Sequence, residues 1–92
     1  MKNSNNIIFS GSSHVKFAKD LVQSLDVSLG NLKIDQFPDG EIGVEILEDV
    51  EGKNVFVVQS LANRPNHFLM ELLLIVDALL RASTINSNSI RK

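Results

Sequence analysis

Residues 36–46 read QFPDGEIGVEI, which sets an aromatic ring, Phe37, close to two carboxylates, Asp39 and Glu41. That combination suits a flat ligand bearing hydrogen-bond donors. Phe37 offers a stacking face, and the two acids can only accept when ionised. The same stretch also has the residues of a tight strand connection. Pro38 pre-sets φ for a turn, and Gly40 tolerates positive φ. At the level of residue type and spacing, both readings stay open.

Three further groups carry residue types suited to chemistry. Ser10–His14 reads SGSSH and stands where a strand gives way to a helix. Such a position turns free N–H groups and a positive dipole end toward an anion. It is neither a Walker loop nor a G-x-G-x-x-G fingerprint, so capping of the helix by Ser12 or Ser13 is the simpler expectation. His14 and His67 are the only histidines. Neither has a second histidine or a carboxylate at metal-ligand spacing, and both are expected on the surface of a first helical turn. Glu71 and Asp77 lie six positions apart, which is not a same-face helical spacing. They are read as marking the less buried sides of their helix, or as an interface pair, and not as catalytic groups. No Ser-His-Asp arrangement is recognisable.

The elements that must position these groups follow from periodicity. Ile7–Ser10 reads as a short strand. Val15, Ala18, Val22 and Leu25, with Phe17 and Leu21 beside them, form the apolar stripe of a helix with one buried face. Lys33–Phe37 and Ile42–Leu47 alternate and predict a hairpin across the Pro-Asp-Gly turn. In it, Ile42, Val44 and Ile46 share a face. Val55–Val58 are apolar without alternation, which predicts a parallel strand buried on both faces. Asn66 is a candidate cap for the strongest helix, HFLMELLLIVDALLRAS, which is apolar around most of its circumference. A helix of that kind is either deeply buried or shared with a partner. Strand, helix, hairpin, strand, helix predicts an α/β domain with a mainly parallel sheet, a β-hairpin and flanking helices. After the last helix a further strand is expected, but TINSNSIRK is polar. The domain is therefore read over residues 1–84, with 85–92 as a polar tail.

The chain has 92 residues, 43% hydrophobic and 22% charged, with a formal net charge of -2 and no cysteine. This is one small globular domain. Lys and Arg are scattered, only Arg91 and Lys92 being adjacent, so no nucleic-acid surface is expected. The apolar run Ile7–Phe9 is too short for a signal peptide. The longest run, Leu72–Val76, is far below a membrane span. A cytoplasmic protein fits these features.

Three segments, FSGSSHVKFAKDL, FPDGEIGVEILEDVEGKNVFVVQS and LMELLLIVDALLRAS, together resemble the N-terminal part of the ribose-phosphate pyrophosphokinases, the phosphoribosyl pyrophosphate synthetases. They come in that family's order and spacing over about residues 7–84. The combination of F-x-D-G-E, L-M-E-L-L and D-A-L-x-R-A-S is highly specific. The resemblance implies a truncated N-terminal domain of phosphoribosyltransferase-like fold. It implies an enzyme family that moves the β,γ-diphosphate of ATP to ribose 5-phosphate with Mg²⁺, in nucleotide biosynthesis. It also implies that Phe37, Asp39 and Glu41 belong to the adenine side of the ATP site, a neighbouring subunit supplying the remaining contacts.

The departures carry expectations of their own. The R-Q-D-R-K-type catalytic segment, the ribose-5-phosphate loop and the family's metal-binding His and Asp are not among these 92 residues. The chain is therefore expected to be inactive alone. The family's E-S-V-R-G is here Glu48-Asp49-Val50-Glu51-Gly52, and Asp49 and Glu51 would repel a regulatory phosphate. The alternative expectations are a non-catalytic assembly or regulatory module that docks on itself or on a full-length synthetase, and a gene remnant without function.

Overall fold

A computed structural model of the chain describes residues 5–84. Three parallel strands form its centre: β1 (Asn6–Ser10), β2 (Ser28–Leu29) and β5 (Asn54–Val58), in the order β2-β1-β5. The hairpin strands β3 (Leu32–Gln36) and β4 (Ile42–Ile46) make a separate antiparallel pair. Two helices complete the domain, α1 (Val15–Leu25) and α2 (Pro65–Thr84). A single turn of 3-10 helix, Ser12–His14, precedes α1.

β1 is the middle strand, and Ile7, Ile8 and Phe9 are all buried because both faces are covered. On one face Ile7 and Phe9 pack with Val50, Ile75 and Leu79. Leu32, Ile34, Val44 and Ile46 of the hairpin surround this cluster, so the alternation read in β3 and β4 is the alternation the core uses. α2 lies against β4 and touches β5, while α1 packs on β1 and β2. Gly30, just after β2, is pressed against the Phe9 ring, and its N–H donates to the Ile8 carbonyl at 2.7 Å. The short strand β2 was not expected from its two residues, Ser28 and Leu29. Only the register Ile7↔Ser28 and Ile8↔Leu29 makes it a strand.

The α/β class, the parallel sheet, the hairpin and the two helices match expectation, and three local expectations are corrected. First, β5 is parallel to β1 but is not buried on both faces; Phe56 is 52% exposed. Its position at the sheet edge, beyond the reach of α1, is the reason. Second, only Ala18 of the α1 stripe is fully buried; Val15 and Leu25 are exposed. A sheet three strands wide is too narrow to cover both ends of an 11-residue helix. Third, α2 starts at Pro65, one residue before the expected cap Asn66. Proline's fixed φ suits the first helical position, where its missing N–H costs nothing. Of the two alternatives read for α2, deep burial all round does not hold. Leu69, Met70, Leu73 and Val76 are exposed on the side opposite Ile75 and Leu79. Val50 lies in the acidic segment Glu48-Asp49-Val50-Glu51-Gly52, yet it is 4% exposed and anchors that segment in the core. The polar tail 85–92, and the further strand expected there, lie outside the described residues.

Candidate functional site

The turn between β3 and β4 is built by main-chain bonds. Gly40 N–H donates to the Phe37 carbonyl at 2.9 Å, closing a four-residue turn, and Phe37 N–H donates to the Glu41 carbonyl at 2.9 Å. Gly40 takes φ +92°, a region that a residue with a β-carbon avoids. This is a three-residue hairpin loop in which Pro38 supplies the bend and Gly40 the left-handed residue. Asp39 Oδ1 accepts from Glu41 N–H at 3.1 Å and stiffens the loop from its own side chain.

The three residues singled out in the sequence are brought together here, and they take different roles. The Phe37 ring lies against Gly43, where a β-carbon would meet its Cε2 at 3.7 Å. The ring is 49% exposed, and it makes no ring stacking with another aromatic side chain among the described residues. One side is thus supported by backbone and much of the rest is open. The Glu41 carboxylate, also exposed, has no hydrogen-bond or ion-pair partner among the described residues. Asp39 has spent one oxygen on the turn. The arrangement presents an apolar ring surface beside a free carboxylate, which suits a planar heterocycle with an exocyclic N–H donor.

A second polar centre lies at the carboxyl ends of β1 and β5, and it was not anticipated. Glu71, expected on a less buried side of α2, has 0% exposure. Its Oε1 accepts from Ser12 N–H at 2.6 Å and from Gln59 Nε2 at 2.7 Å; its Oε2 accepts from Ser12 Oγ at 2.8 Å. Gln59 in turn uses Oε1 to accept from Ser13 N–H (3.2 Å) and Ser13 Oγ (2.6 Å). Ser13 Oγ accepts from Ser60 N–H at 2.8 Å. Burial of a carboxylate is tolerated because three donors replace its water. The exposed Asp77 instead pairs with Arg81 one helical turn on. The two acids of α2 therefore have unrelated environments.

This network corrects the reading of SGSSH. The main-chain N–H groups of Ser12 and Ser13, the donors that would greet an anion, are taken by Glu71 and Gln59. Neither serine caps α1 with its side chain. That role falls to His14, whose Nδ1 accepts from Phe17 N–H at 3.1 Å. His14 is exposed, as expected, whereas His67 is half-buried beside Phe68 and its Nε2 is out of contact with water. Among the described residues, no three His, Asp or Glu side chains converge on a metal position. Asp49 and Glu51 stand in an exposed turn, where Asp49 Oδ1 accepts from Glu51 N–H at 3.0 Å. The sequence signal that could have exposed the network was an acid amid the apolar run L-M-E-L-L, with a glutamine ending an apolar strand.

Comparison with known proteins converges on one family. Residues 6–90 match the model of the N-terminal domain of ribose phosphate pyrophosphokinase. A ribose-phosphate pyrophosphokinase of Fusobacterium nucleatum is 51% identical over 89 residues, 94% of this chain and 28% of that protein. One from Nitrosomonas europaea is 49% identical over 77 residues, 84% of this chain and 24% of that protein. The crystal structure of phosphoribosylpyrophosphate synthetase from Mycobacterium smegmatis superposes with a TM-score of 0.81 at 38% identity. That match covers 87% of this chain and 27% of that one. The chain thus spans about a quarter of the length of the relatives it matches. By motif, fold and sequence, it belongs to the ribose-phosphate pyrophosphokinase family and corresponds to the N-terminal portion of its members.

Proposed function

We propose that this chain is the adenine-binding N-terminal portion of a ribose-phosphate diphosphokinase, the activity that converts ATP and ribose 5-phosphate to phosphoribosyl pyrophosphate and AMP. The observation that carries the reading is the hairpin turn. There, the half-exposed Phe37 ring rests on Gly43 beside the unpartnered Glu41 carboxylate. In this reading Phe37 stacks on the base, Glu41 accepts from its amino group, and Asp39 shapes the loop and offers its second oxygen. Mg²⁺ accompanies the ATP phosphates in the family reaction, and no role in holding it is assigned to the described residues. Catalysis of phosphoryl transfer rests on positioning and charge neutralisation by metal and cations. The described residues cluster no such groups near the turn, so the chain by itself binds nucleotide weakly and forms no product. A cytoplasmic location goes with this reading, and no helix among the described residues is long and apolar enough to cross a membrane.

The test is titration of the chain with ATP, read by NMR shifts, beside an assay for phosphoribosyl pyrophosphate. Saturable shifts centred on residues 37–43, without product, support the reading. Shifts elsewhere, no shifts, or turnover by this chain overturn it.

A second reading, an assembly or regulatory module that docks on a full-length synthetase, is favoured by the exposed residues Leu69, Leu73 and Val76 along α2. Co-purification with a full-length relative, lost on Leu73→Glu, is its signature.

A further inference from the structure

Asp39 and Gly40 form the only Asp-Gly pair of the chain, and there is no Asn-Gly pair. In such a pair a side chain can react with its own backbone. The nitrogen of the following residue comes within reach of the Asp carboxyl carbon, and glycine sets no β-carbon in the path. At Gly40 the surrounding space is open as well: nothing lies within 4 Å of the place a β-carbon would take. The turn also folds the two reacting groups toward each other. Asp39 Oδ1 accepts from Glu41 N–H at 3.1 Å, and the ring closed by that bond contains the Gly40 nitrogen. The Asp39 side chain is therefore folded back along its own peptide bond to Gly40. A second bond opposes reaction. Gly40 N–H donates to the Phe37 carbonyl at 2.9 Å, and an amide held in this way keeps its proton. One short turn thus carries both a reactive pair and the bond that restrains it.

We propose that Asp39–Gly40 is a site of spontaneous succinimide formation and conversion to isoaspartate, gated by opening of the Gly40–Phe37 bond. Asp39 and Gly40 are exposed, and hydrogen bonds at an exposed loop tip open far more readily than those of the core. Once the bond opens, the Gly40 nitrogen attacks Asp39 Cγ and a new N–C bond forms. One carboxyl oxygen leaves as water, taking the Gly40 amide proton and one proton from solvent. Water then adds to either carbonyl of the ring and returns both protons. Addition at the side-chain carbon restores aspartate. Addition at the main-chain carbon breaks the original peptide bond, and the chain afterwards runs through Cβ and Cγ. The overall mass is unchanged, and water is the only co-reactant. The isoaspartyl form has one more main-chain atom inside the loop. The Phe37–Glu41 closure and the Asp39–Glu41 bond then lose their geometry. Displacement of the ring and carboxylate assigned to the base rests on the nucleotide reading; the chemistry at Asp39 does not.

The test is prolonged incubation of the intact chain at neutral pH in heavy-oxygen water, followed by transfer to ordinary water and digestion with trypsin. Cleavage after Lys33 and Lys53 releases Ile34–Lys53 in one piece, for mass spectrometry with fragmentation that distinguishes isoaspartate. Asp35 and Asp49, followed by Gln36 and Val50, lie in the same peptide and serve as internal controls. Heavy oxygen and isoaspartate are expected at Asp39 and at neither control. Asp39→Glu, whose ring would be one atom larger and closes far more slowly, should lose both signals. The synthetic peptide Ile34–Lys53, which lacks the folded turn, should incorporate heavy oxygen faster than the intact chain. Incorporation at Asp39 no greater than at Asp35 and Asp49 overturns the proposal, and equal rates in peptide and chain overturn the gating. The readout is isotopic mass, so its outcome is independent of whether the chain binds ATP.

Discussion

Glu71 and Ser12, 59 positions apart in the chain, meet twice: the Ser12 N–H and hydroxyl donate to the two oxygens of one carboxylate, at 2.6 and 2.8 Å. α2 is thereby fastened to the turn that leaves β1, and Gln59 fastens the end of β5 to both. Glu71→Ala leaves the Ser12 and Gln59 donors without an acceptor in a site closed to water. A loss of about 3 kcal/mol is expected, since each unsatisfied buried group costs about 1–3 kcal/mol. Glu71→Gln keeps the shape and one acceptor and should cost roughly half as much. Urea unfolding of the two variants measures this; a Glu71→Ala variant as stable as the parent would show that the network contributes nothing.

Two glycines are required by close approach and not by backbone angle. A β-carbon on Gly30 would lie 2.4 Å from Cε1 of Phe9, a ring with 0% exposure and no room to withdraw. Gly30→Ala is expected to cost about 2–3 kcal/mol through overpacking. A β-carbon on Gly11 would lie 2.1 Å from Gln59 Oε1, so Gly11→Ala should displace Gln59 from Ser13. The Ser13 and Ser60 amides would then lose protection from hydrogen exchange while the hairpin amides keep theirs. Equal loss across the molecule would contradict that local origin.

His14 is an unusual helix cap, with its ring nitrogen in the place usually taken by a side-chain oxygen. His14→Ala should destabilise the domain by about 1 kcal/mol, the typical worth of a cap, while His14→Asn should hold stability or raise it. Thermal midpoints of the three proteins decide the matter. A His14→Ala midpoint equal to the parent's would mean that the bond to Phe17 is not a stabilising cap.

The hairpin turn should separate binding from folding. Phe37 is half exposed and belongs to no core cluster. Phe37→Ala is expected to remove ATP binding, since loss of one base-stacking ring costs about 1–3 kcal/mol against an already weak affinity. Its effect on stability should stay within about 0.5 kcal/mol, as for most surface changes. Glu41→Gln should weaken ATP more than a nucleotide whose base lacks the amino group. Binding unaffected by Phe37→Ala would remove the ring from the site.

What the sequence made legible was whatever repeats locally. Alternation located β3 and β4, helical spacing located both helices, and the Pro-Asp-Gly turn with its flanking ring and acids was read where it stands. What escaped depends on distant partners. The spacing of Glu71 and Asp77 says only that they occupy different faces of α2. That one face meets Ser12 and Gln59 is a property of the folded chain, not of the helix. β5 read as doubly buried because Val55–Val58 are uniformly apolar, but composition does not say whether a strand has neighbours on both sides. Ser12 and Ser13 were sound cap candidates by type. They lost that role because their hydroxyls are engaged elsewhere, Ser12 Oγ by Glu71 and Ser13 Oγ by Gln59 and Ser60.

The two sheets of this domain share no backbone hydrogen bond among the described residues. The chain joins them at Gly30–Asn31 and again through residues 47–53, and side-chain packing around Val50, Ile75 and Leu79 holds them together. Directional bonds resist displacement along every axis, whereas packed apolar surfaces resist separation more than they resist sliding. In mechanical terms, the network at the strand ends is a stiff joint and the hairpin sits on a compliant mount. Sliding of the hairpin over α2 is therefore expected to be easier than separation of the two sheets.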